Sequence, residues 1–249
     1  MNCAAFAPFV TGVVPVNFLN HIFNSSLGKK YIMAVTGFVL FLFVIGHLVG
    51  NLQIFLGPEA INRYGHFLQT NPELIWPARL FLLLMVGLHI WSAVKLSREN
   101  RAARPVAYAE YQPVGSSYAS RTMLMSGLIV LVFVIYHLLH FTVQMQYVNL
   151  TGRSFLGFVD PEKRHDIFKM MVVGFNNVWV SGFYVLGMAL LCLHLSHGAS
   201  SMFQSMGWKN QAYGPLLDRL AYWVAGLIFL GYCSIPVAIL LGYGKEALK

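Results

Sequence analysis

The chain has 249 residues, 57% of them hydrophobic and only 10% charged. Water-soluble proteins carry roughly 25% charged residues, so a soluble enzyme or a nucleic-acid binder is excluded and lipid is the expected solvent. The net charge of +8 sits between the apolar runs, where it sets topology and meets anionic headgroups.

Residues 1–24 read as a short arm: Pro8 and Pro15 interrupt it, a basic start is lacking, and "VNFLNHIF" (16–23) suits the membrane surface. Apolar runs of spanning length follow at about 31–56, 77–97, 122–148, 169–203 and 217–243. The loop 57–78 holds a short surface helix near 59–69. The loop 98–121 is polar and contains proline, suited to docking a soluble partner. The segment 149–168 is expected to fold back on the membrane. The fourth run is long enough to require tilt or protrusion. A span must satisfy its own backbone hydrogen bonds in lipid, so the predicted fold is all-α: one domain (1–249), a five-helix integral membrane bundle. No internal repeat is expected. Lys29, Lys30 and the basic stretch 95–105 outweigh Arg63 and Arg79, which places the N-terminus inside.

Cys3, Cys192 and Cys233 have neither metal-ligand spacing nor a haem-attachment pattern, and no phosphate-binding glycine motif is present. The chemistry rests on histidine. His21, His66 and His165 fall outside the spans. His47, His89, His137, His140, His194 and His197 fall within the first four. Ionisable residues at membrane depth are costly and default to function. A rise of 1.5 Å per residue puts His47 about 13 Å, and His137 about 17 Å, from the outer ends of their spans. His89 and His194 lie about 12–14 Å from the inner ends of theirs. An outer couple and an inner couple across one bilayer are what two b-type haems require. Gly46, Gly50, Gly87 and Gly198 are small enough to line the slots. Residues three apart share a helix face, so periodicity does not choose between His137 and His140, or between His194 and His197. None of the nine Asp and Glu falls in the core of a span, which argues against a binuclear carboxylate site or a carboxylate proton relay.

The segments "VTGFVLFLFVIGHLVGN" (35–51), "LLMVGLHIW" (83–91), "SGLIVLVFVIYHLL" (126–139) and "LGMALLCLHLSHGASSMFQSMGW" (186–208) resemble the cytochrome b subunit of dihaem succinate:quinone oxidoreductases. This is the five-helix membrane anchor of the succinate dehydrogenase and fumarate reductase family, and the likeness runs from about residue 25 to the end. It implies His47 and His137 as axial ligands of an outer haem b, and His89 and His194 as those of an inner haem b. His140 and His197 become second-layer candidates. It implies a flavoprotein subunit and an iron–sulfur subunit as partners at the inner face of a prokaryotic cytoplasmic membrane. Electrons would pass through both haems to a quinone, expected to be menaquinone, linking the tricarboxylic acid cycle to the respiratory chain. The chain itself would carry no succinate site. Some quinol:fumarate members have a glutamate two residues before the fourth ligand; Cys192 stands there, favouring the succinate-oxidising branch. Ser25, Ser26 and Lys29 at the inner start of span one are quinone-site candidates, as are Asn51 and Gln53 at its outer end. Other readings are a dihaem anchor of another respiratory dehydrogenase, a histidine-bearing transporter and a multi-histidine non-haem oxidase.

Overall fold

The computed structural model describes residues 22–103 and 121–248. Most of the expected N-terminal arm (1–21) and of the docking loop (104–120) lies outside the described residues. Helix α1 (Ser26–Leu52) is capped by Ser25, whose hydroxyl accepts from the Gly28 N–H at 2.9 Å. A 3₁₀ turn, Gln53–Leu56, extends it. Gly57 then turns the chain at φ 98°, a conformation without steric cost only for glycine. Helices α2 (Pro58–Thr70) and α3 (Pro72–Ala102) both begin on proline, whose missing N–H costs nothing in a first turn. Helix α4 (Met123–His137) continues into a π-helical turn, Leu138–Thr142. Helices α5 (Ile167–Phe175), α6 (Val178–Ser205) and α7 (Gly214–Leu240) complete the bundle. Among the described residues there is no strand, only an isolated bridge between Val159 and His165.

Five helices are long and apolar enough to cross a membrane: α1 with its 3₁₀ turn, α3, α4 with its π turn, α6 and α7. The protein is a multi-pass helical membrane protein. Large apolar side chains such as Leu83, Val132, Trp179, Trp223, Leu227 and Leu230 point outward on these helices, as lipid-facing surfaces require.

The apolar run 169–203 is not one helix. At Asn177 the side chain accepts from the N–H groups of Trp179 and Val180, and the Ser181 hydroxyl donates to the Phe175 carbonyl at 2.6 Å. Those bonds end α5 and start α6. Phe168 and every residue from Met170 to Phe175 are buried, so this apolarity serves a protein core rather than lipid. The third run also stops at Thr142, before the chain turns at Gln144 with φ 59°. The surface helix expected near 59–69 is α2.

Helix α6 is the central element: α7, α1 and α4 pack on it, and α3 packs on α1. A Cβ on Gly187 would overlap the Phe133 ring, so the glycine is what lets α4 lie against α6. Tyr232 and Tyr243 strap α7 and its C-terminal extension to α1, donating to the carbonyls of Val44 (2.8 Å) and Ile54 (2.7 Å).

One end of the bundle is roofed by α2, the segment 143–166 and α5. A polar clasp holds this capped end. Arg164 makes a forked pair with Glu59 at 3.2 and 2.6 Å and donates through Nε to Asp160 at 2.7 Å. Asn62 donates to Asp166 at 3.1 Å and accepts from the Phe168 N–H at 2.9 Å. The Arg164 hydrogen bond lowers the Glu59 carboxyl below its ordinary range. Burial pushes Asp160 upward, but backbone and side-chain bonds from Arg164 outweigh it and the net shift is down.

Two outcomes are expected. Gly187→Val should lower thermal stability in detergent by about 1–3 kcal/mol, the cost of overpacking, because Phe133 is wedged against Phe183 and Tyr184 and has nowhere to swing. Depressed carboxyl values stabilise the fold above their unfolded value near 4 and lose that effect as pH falls through the folded values. Arg164→Met should therefore lower the melting temperature at neutral pH, and the gap to wild type should close as pH falls below about 4.

Candidate functional site

Four of the six membrane-level histidines meet in two couples. His47 on α1 faces His137 on α4, ring centroids 5.8 Å apart and planes at 82°. His89 on α3 faces His194 on α6 at 6.5 Å and 69°. All four imidazoles are half-buried. A metal bound between two imidazole nitrogens takes bonds of about 2 Å, which sets ring centroids roughly 6 Å apart. Both couples have that separation. Among the described residues no three His, Cys, Asp or Glu side chains converge on one point, so each level offers two donors.

The far couple shows which ring nitrogen is available. Thr36 lies 3.1 Å from Nδ1 of His89, and its hydroxyl also reaches the Ile32 carbonyl at 2.7 Å. Ser126 lies 3.1 Å from Nδ1 of His194 and reaches the Met123 carbonyl at 3.0 Å. Each hydroxyl has one proton; with that proton on its own helix carbonyl, the oxygen accepts from Nδ1–H. That tautomer leaves the Nε2 lone pair of both rings for an electrophile. Beneath each ring sits a glycine: a Cβ on Gly37 would come within 3.1 Å of His89 Cε1, and one on Gly127 within 3.4 Å of His194 Cε1.

These contacts expose an internal repeat that inspection of the sequence missed. "TGFVLFLFVIGH" (36–47) and "SGLIVLVFVIYH" (126–137) align without a gap. In each, a hydroxyl residue and a glycine serve the far couple, and a histidine eleven residues later serves the capped couple. Eleven residues rise about 16 Å, the separation of the two levels. Phe43 stacks on His47 at 18°, and its counterpart Phe133 stacks on His137 at 23°. Equivalent residues of the two segments, His47 and His137, thus meet each other at the capped level.

The remaining candidates lie elsewhere. His140 is fully buried, and its Nδ1 is 3.0 Å from the Tyr184 hydroxyl, which also lies 3.3 Å from Nδ1 of His137. His197 bonds within its own helix, to Ser201 at 3.0 Å. Lys29 is buried and spoken for, donating to Glu99 at 2.6 Å and to the Asn24 carbonyl at 2.9 Å. Ser25 caps α1, while Ser26 is exposed. Asn51 donates to the His47 carbonyl at 2.7 Å. Gly46, Gly87 and Gly198 have open space where a Cβ would stand, whereas Gly50 abuts the Tyr64 ring. An apolar cleft of about 280 Å³, lined by Tyr31, Ile32, Val35, Thr36, Met85 and Leu88, opens between α1 and α3 beside the far couple.

Thr36, Ser126, Gly37, Gly127 and Tyr184 were not singled out from sequence. The repeat carried the signal for the first four; nothing in the sequence marked Tyr184.

The fold and the site define a class: a multi-pass helical membrane protein whose core presents paired imidazoles at two levels. Comparison with known protein families, with curated proteins and with solved structures finds no match.

Proposed function

We propose that this chain is the dihaem cytochrome b anchor of a succinate:quinone oxidoreductase. The observation that carries the reading is the pair of facing imidazole couples, each spaced for one metal atom. A bare metal ion takes three or four protein donors, whereas a porphyrin supplies four in-plane nitrogens and asks the protein for two axial ones. The residues present fit that demand: two donors per level, glycines beneath the far rings, and phenylalanines stacked on the capped ones. The sequence resemblance implies the same four histidines.

When bound, haem b supplies one-electron chemistry, its iron alternating between ferric and ferrous states. The residues of this chain orient and tune. His47 with His137, and His89 with His194, would hold the two haems; Thr36 and Ser126 would keep the far imidazoles in the ligating tautomer. The N-terminus is read as inside, so the far couple lies toward the inner face and the docked iron–sulfur and flavoprotein subunits. The capped couple lies toward the outside. Of the three inner quinone candidates, Lys29 is held by Glu99 and acts as a fixed charge, leaving exposed Ser26 best placed to meet a menaquinone headgroup.

A dithionite-reduced minus oxidised spectrum with haem quantitation tests the reading. Two non-covalent b haems per chain are expected, and none would sink it. His194→Ala should lose one haem while His197→Ala retains both; the reverse result would reassign the ligand.

A further inference from the structure

Tyr184 has one hydroxyl proton and two imidazole neighbours, His137 Nδ1 at 3.3 Å and His140 Nδ1 at 3.0 Å. Only one nitrogen can receive that proton, and the other must donate to the phenol oxygen. In the far couple the question does not arise, because Thr36 and Ser126 discharge their protons onto carbonyls three or four residues back. A phenol hydroxyl stands at the tip of a long side chain, out of reach of its own helix backbone, and needs an acceptor from elsewhere. His140 provides it. With the Tyr184 proton on His140 Nδ1, the phenol oxygen is left to accept from His137 Nδ1–H.

His140 is built into this place and has no other evident task. Its ring is fully buried, with the rings of Phe141, Tyr136 and Phe155 at centroid distances of 4.0, 5.5 and 5.7 Å. It lies in the π-helical turn Leu138–Thr142, and such turns occur frequently at functional sites. Its Nε2 finds no partner and lies where a Cβ on Gly174 would approach to 3.2 Å. A neutral His140 that accepts at Nδ1 carries its own proton on this Nε2.

We infer that Tyr184 and His140 are positioning residues which set the direction of the hydrogen bonds His137 Nδ1–H to Tyr184 Oη–H to His140 Nδ1, and so hold His137 in the tautomer that ligates through Nε2. The inference rests on the proposed haem-ligand role of His137. A donated Nδ1–H bond makes a metal-bound imidazole more basic, and loss of such a partner typically weakens metal affinity by roughly 10–100-fold. A more basic ligand favours the ferric state, so losing the bond raises the midpoint potential.

The test compares the full chain with His140→Asn, His140→Leu and Tyr184→Phe, in membranes and purified with haem. Electron paramagnetic resonance and a redox titration are read for each haem, with the far haem as the folding control. Asn places an acceptor oxygen near the position of Nδ1, so His140→Asn should keep the capped-end haem near wild-type occupancy and potential. Tyr184→Phe should raise that haem's potential. His140→Leu should be the most damaging, losing roughly 10–100-fold in affinity, because the Tyr184 proton then turns toward His137 Nδ1 and drives the histidine's own proton onto Nε2. A packing role predicts the opposite order, with the smaller Asn worse than Leu, and that order overturns the inference. So does an unchanged capped-end potential in Tyr184→Phe with both haems present. A wild-type chain without haem overturns the haem reading and this inference together, whereas two haems in wild type with inert variants overturn this inference alone.

Discussion

The structure depends on imidazoles from different helices meeting in a region without water. A histidine at membrane depth must be neutral, partnered or ligating to be tolerated, and the two couples have ring centroids 5.8 and 6.5 Å apart. Meeting there constrains the bundle. Rings from α1 and α4 meet at one level and rings from α3 and α6 at the other, and the rise per residue ties both levels to one spacing along α1 and α4. Gly37 and Gly127 are small because an imidazole lies on each of them. Gly187 is small because Phe133, which stacks on His137, must lie against α6.

The sequence repeat accounts for several features at once. A single helical pattern, hydroxyl then glycine then histidine eleven positions on, supplies a neighbour to one site and a ring to the other. Used twice, it generates both levels. The pattern is kept where the rings meet and is lost around them. The far rings are held by aliphatic hydroxyls of the helices packed beside them, whereas the ring of His137 leans on a phenol from α6.

Much of this was legible beforehand. Five apolar runs gave five spanning helices, and depth counted along them paired His47 with His137 and His89 with His194, as the coordinates do. The run 169–203 was misread because hydropathy does not distinguish a lipid face from a protein core: Met171, Val172 and Val173 are apolar for contact with other side chains. The hydroxyls of Thr36 and Ser126 were overlooked because serine and threonine are ordinary in membrane helices, and only their common distance from a histidine gives them meaning. Tyr184 was invisible because its two partners lie on another helix, more than forty residues away. Lys29 looked available as a surface donor because its partner Glu99 is seventy residues distant.

The clasp at the capped end fastens distant parts of the chain. Arg164, Glu59, Asp160 and Asn62 draw α2 and the segment 143–166 together at the end of the bundle that holds His47 and His137. One guanidinium thus joins stretches 105 residues apart, a single rivet through two plates.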